Sequence, residues 1–160
     1  VRGLFIDPAG KSNAKGRGYA VIEYNPFASF GAARLLGWFS GGLPDARALQ
    51  WGPLDLAVCE GQFPSKKASK QSLITLGAGA GFLLGAAPAP LTEKFFVPVF
   101  DWKDAIIPGF ANAPGEMYTN NLRDKWPQIE NEHCLDATGL GFAWARGSFT
   151  PQQLKKWRYA

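Results

Sequence analysis

The chain has two cysteines, one histidine and one methionine in 160 residues. Cys59 and Cys134 are too few for a disulfide framework, which points to a reducing compartment, and each reads most simply as a small buried apolar residue. Long hydrophobic runs are also missing. Residues 1–6 are too short for the apolar core of a signal peptide. The least polar stretch, 73–88, is rich in glycine and alanine and falls short of a membrane span. Repeats, linkers and low-complexity segments are absent too. These absences lead to the expectation of one cytoplasmic domain over 1–160 with a basic tail at 148–160. No membrane and no small-molecule cofactor is expected.

Hydrophobic residues make up 46% of the chain and aromatics 14%, which argues for a packed core rather than disorder. Seventeen Lys and Arg against thirteen acids give a net charge of +4, which suits a polyanionic partner. "VRGLFIDPAG" opens as a short apolar strand over 1–6 and then delivers a carboxylate, Asp7, before Pro8. Turn chemistry explains such an acid, and so does a metal ligand carried to a cleft floor by a central strand. A basic turn with Lys11, Lys15 and Arg17 follows, then "GYAVIEY" alternates as a second strand. "GAARLLGWFS" reads as a strand rather than a short helix because glycine flanks it. "LPDARALQW" has helical spacing, with Pro44 in a first turn. "LDLAVCEG" is a further apolar strand ending on an acid, Glu60.

Ser65 can cap a helix over 65–86 whose first turns carry Lys66, Lys67 and Lys70. Lysines there oppose the helix dipole by about 0.3–1 kcal/mol each, so they call for solvent screening or an anionic ligand. Gly77, Gly79 and Gly81 then permit close approach of another element, such as a helix from a second subunit. "KFFVPVF" reads as a strand that Pro98 assigns to an edge or an end, and "DWKDAII" as a short helix or turn. "GEMYTNNLRDKW" is a modest helix, and "IENEHCLDATGLGFAWARG" contains a helix suited to packing on a sheet. Thr150 and Pro151 start a basic tail helix. Strands with intervening helices give a mixed α/β domain.

His133 and Asp136 stand three apart and share one helical face. A lone histidine in such a place reads as a capped surface residue or as a ligand. Asp136 borders the buried stretch and needs a partner. Asp7, Glu60 and Asp136 brought together would repel, and each pKa would rise. Divalent metals remove that penalty: oxygen ligands favour Mg²⁺ or Mn²⁺, and Mn²⁺ accepts imidazole well. Two such ions can activate a water and stabilise the leaving oxygen of a phosphodiester.

"FIDPAG" followed by "GYAVIEY", then "CEGQF" before a Lys-rich helix, then "HCLDATGLGFAWA", resembles the RuvC-type Holliday junction resolvases of the ribonuclease H-like nuclease superfamily. The similarity runs in order over 4–146. It implies a mixed central sheet of about five strands flanked by helices, two Mg²⁺ ions, branched DNA as substrate and a homodimer. It also implies that Asp7 holds both metals, that Glu60 is the acid closing the fourth strand, and that His133 and Asp136 form the H-x-x-D pair on the last helix. Phe63 stands where the family has an aromatic that stacks in the opened junction. Its other reading is a hydrophobic staple ahead of Ser65. Lys103 matches a basic residue near the scissile phosphate, or is a solvated lysine. Ala9 replaces a glycine usual in the family, and the longer "KSNAKGRG" turn brings Lys11, Lys15 and Arg17 near the cleft mouth. That departure opens an alternative, a nuclease of flaps, forks or structured RNA. A junction-binding protein that does not cut is the alternative of another class. The expected setting is the nucleoid, or a host cytoplasm in which a viral protein acts.

Overall fold

The computed structural model describes residues 1–8, 16–28, 32–61, 70–106, 115–147 and 149–159. Among them, β1 (Arg2–Asp7), β2 (Gly18–Glu23), β3 (Arg34–Ser40), β4 (Leu56–Gly61) and β5 (Lys94–Pro98) form one sheet in the order β3-β2-β1-β4-β5. The first three strands pair antiparallel, and β4 lies parallel to both β1 and β5. The apolar runs "LFI" and "LAVC" therefore take central positions where both faces are covered. A parallel pair needs a crossover, and α1 (Lys70–Ala86) runs between β4 and β5.

Successive strand residues face opposite ways, and this alternation sorts the core. Leu4, Ile6, Val21, Ala57 and Cys59 pack with Leu83 and Leu84 of α1 on one face. Truncating either leucine to alanine costs about 2–5 kcal/mol, since both are fully buried. Phe5, Ile22 and Val58 face the other way. They meet α2 (Val99–Ile106), α3 (Gly115–Lys125) and α4 (Glu132–Ala145) through Trp102, Leu122 and Leu140. α5 (Pro151–Trp157), started by a Thr150–Gln153 capping box, adds Trp157 to this layer. Asp7 shares the parity of Phe5, and Glu60 that of Val58, so both acids belong to the α4 side. α4 rides close on the sheet: a Cβ at Gly141 would stand 2.2 Å from Ile22 Cδ1.

Local boundaries differ from the sequence expectations in three places. β1 continues through Asp7 itself. Pro44 precedes the helical turn rather than opening it, because Asp45 caps a 3-10 turn over Ala46–Trp51 by accepting from the Arg47 N–H. β5 stops at Pro98, which has no N–H for the ladder, so Val99 and Phe100 belong to α2 instead of the strand. The expected cap at Ser65 lies outside the described residues. Among those described, no helix is long and apolar enough to cross a membrane.

Candidate metal centre

Ile6 lies opposite Cys59 in the parallel β1–β4 pair, so the next residues, Asp7 and Glu60, end adjacent central strands. They are only 6% and 7% exposed, and buried carboxylates need partners. Across β2, Asp7 faces Gly18. A Cβ there would stand 2.1 Å from the His133 backbone carbonyl carbon, so the missing side chain lets α4 begin directly on the strand beside Asp7. Asn131 caps that helix, accepting from the N–H groups of His133 at 2.9 Å and Cys134 at 3.2 Å. His133 Nδ1 then lies 2.8 Å from Asp7 Oδ2, and the imidazole donates while Asp7 is a carboxylate. One turn on, Asp136 meets the Lys103 ammonium at 3.6 Å. Lys103 also stands 4.7 Å from the centre of the Tyr118 ring. Trp102, the preceding residue on α2, donates its indole N–H to Glu60 Oε2 at 2.9 Å.

The acids are short of positive charge. Burial first, and then Asp7, push the Glu60 carboxyl up to about 8 against the relief given by Lys103. Burial raises Asp136 to about 6, with Lys103 opposing it and Asp7 adding to it. The hydrogen bond to Asp7 raises His133, followed by the charges of Asp7 and Asp136. Three groups thus hold protons that their unfolded counterparts release more readily.

No three His, Cys, Asp or Glu side chains among the described residues are close enough to share one ion. His133 is on Asp7, Lys103 on Asp136 and Trp102 on Glu60. The types of donor nonetheless suit hard divalent cations. They are three carboxylates and one imidazole on strand ends and a capped helix, with the carboxyls of Glu60 and Asp136 disfavoured as anions.

Of the other expected site residues, Arg17 turns its guanidinium to the Gly42 carbonyl at 3.2 Å, and Lys70 is exposed in the first turn of α1. Phe63, Lys66, Lys67, Lys11 and Lys15 lie outside the described residues. Trp102, Asn131 and Gly18 were not singled out from sequence. The "NEH" triplet carries a capping signal for Asn131, and a buried Trp always needs an acceptor for its N–H. Gly18 becomes visible only once the β1–β2 register is known.

No family model matches the chain, and no curated protein does. Solved structures do. A Thermus thermophilus RuvC structure aligns with a TM-score of 0.55 at 17% identity, covering 91% of this chain and 94% of that one. T. thermophilus RuvC in complex with a Holliday junction substrate aligns with a TM-score of 0.53 at 16% identity, with the same coverage. The chain has a RuvC-like, ribonuclease H-like fold.

Proposed function

We propose that the chain is a divalent-metal-dependent endonuclease that cuts branched DNA, resolving four-way junctions by paired symmetric nicks. The placement of Asp7 and Glu60 at the ends of adjacent central strands, with His133 on Asp7 and the charge of Asp136 acting on Glu60, carries this reading. The junction-bound RuvC neighbour supports branched DNA as the substrate class. When bound, two Mg²⁺ ions, or Mn²⁺ in their place, offset the carboxylate charge and supply Lewis acidity for in-line hydrolysis of a phosphodiester. Asp7 is the central donor of the set, flanked by Glu60 and Asp136. His133 adds nitrogen and orients Asp7. Lys103, whose charge acts on both Glu60 and Asp136, is the cation that meets the scissile phosphate. Phe63 stacks on an unpaired base, while Lys66, Lys67 and Lys70, with Lys11, Lys15 and Arg17, hold backbone phosphates.

Symmetric cuts need two sites, and a second copy of the chain supplies the other. The interface in this reading is α1, where Ile74 and Phe82 are 65% and 60% exposed, and where a Cβ at Gly77, Gly79 or Gly81 would meet nothing within 4 Å. The second reading keeps the chemistry but takes flaps, forks or structured RNA. The basic residues ahead of Gly18 in the sequence favour it, because Gly18 is the residue facing Asp7. A binder that does not cut would gain nothing from buried acids beside a polyanion.

Labelled four-way junctions, flaps, forks and linear duplex, each with Mg²⁺, Mn²⁺ or EDTA, test the proposal. Paired symmetric nicks in the junction with either metal, and none in EDTA, are expected. Cuts confined to flaps or forks select the second reading. Asp7→Asn removes a ligand and a charge that repels phosphate, so it binds the junction at least as tightly as wild type and does not cut. A wild-type cleavage rate in that variant sinks the metal-centre assignment.

A further inference from the structure

We infer that Trp102 is a positioning residue for Glu60: its indole N–H fixes one carboxylate oxygen and leaves the other to face a cation. This rests on the metal-centre reading above. Trp102 is fully buried, and its indole nitrogen is a donor that cannot accept. The acceptor it meets is Glu60 Oε2 at 2.9 Å. The ring is also held from two sides that do not involve Glu60. Tyr118 meets it edge-on with centroids 5.9 Å apart, and α4 is bare where they touch, since a Cβ at Gly139 would stand 2.8 Å from Trp102 Cζ3. Packing therefore sets the direction of the N–H, and the N–H sets the carboxylate.

The choice of donor matters. α2 offers consecutive residues to two acids, a charged ammonium to Asp136 and a neutral N–H to Glu60. The indole orients Glu60 without adding a positive charge of its own. Partners that hold the far side of a metal-ligating group typically account for about 10–100-fold in metal affinity.

The test is Mn²⁺ affinity, measured by calorimetry on the full chain without DNA. Trp102→Phe keeps an aromatic ring and removes the donor. Its Mn²⁺ affinity is expected to fall by about 10–100-fold. Cleavage should fail at low Mn²⁺ and recover at high Mn²⁺, with junction binding in EDTA unchanged. If circular dichroism shows that this variant does not fold, 3-benzothienylalanine at position 102 preserves the shape with sulfur in place of N–H, and the same loss is expected. A folded variant of either kind that binds Mn²⁺ like wild type, with only a lower melting temperature, overturns the inference. Wild-type protein that takes up no Mn²⁺ overturns the metal-centre reading and this inference together, so the two failures are distinguishable.

Discussion

His133 is where the charge of the centre is adjustable by one substitution. It donates to Asp7 and, in the proposed reading, adds the nitrogen ligand. His133→Ala removes both, and cleavage in Mg²⁺ should fall at least tenfold, about 1.4 kcal/mol of barrier. Mn²⁺ should recover part of the rate. His133→Asp exchanges nitrogen for a hard oxygen and adds a negative charge, which should keep activity and move the preference from Mn²⁺ toward Mg²⁺. Cleavage rates of both variants in each metal check this. A full Mg²⁺ rate in His133→Ala would reduce the residue to a polar side chain at a helix start. At this scale the sequence was legible where chemistry is local: Asp7 and Glu60 closing apolar strands, His133 and Asp136 one turn apart. It was opaque where the partner comes from a distant segment, as with Trp102, which reaches Glu60 across 42 positions.

Among the described side chains of α1, two large apolar residues lie opposite the packed face. Ala80, Leu83 and Leu84 are buried against the sheet, while Ile74 and Phe82, two turns apart, are exposed. Phe82→Glu puts a charge on the exposed face. In the proposed reading, where α1 pairs two copies, it should leave the chain monomeric in sedimentation velocity while keeping the stability of the single chain within about 0.5 kcal/mol, as usual for exposed sites. A variant that stays dimeric would move the interface elsewhere. The strands and helices themselves were legible because alternation, 3.6-residue spacing and caps act over a few residues. Their ends were less so. Pro98 reads equally as a strand residue or a stop until the ladder is seen, and Asp45 competes with Pro44 for the start of a turn.

The whole molecule senses the same charge shortage as a dependence of stability on pH. Without divalent ions, Glu60, Asp136 and His133 each hold a proton more tightly folded than unfolded. Groups raised in this way stabilise fully below their unfolded pKa and lose that contribution as pH rises through the folded one. For Asp136 the loss runs from the usual carboxylate range to about 6, and for Glu60 to about 8. For His133 it begins near the usual imidazole value and continues above it. All three act in one direction. Calorimetry in EDTA should show the melting temperature falling steadily, by several degrees, between pH 5 and 8.5. Added Mn²⁺ should restore more at pH 8.5 than at pH 5. A flat profile would mean that the carboxylates are better compensated than their surroundings indicate.

The bare α-carbon at Gly18 has a reach beyond the strand that carries it. Backbone meets backbone there, so side-chain rearrangement has no purchase on the gap between Asp7 and the first turn of α4. The spacing between this strand and the first turn of α4 is therefore set by main chain alone. The position of His133 beside Asp7 thus depends on a residue that has no side chain of its own.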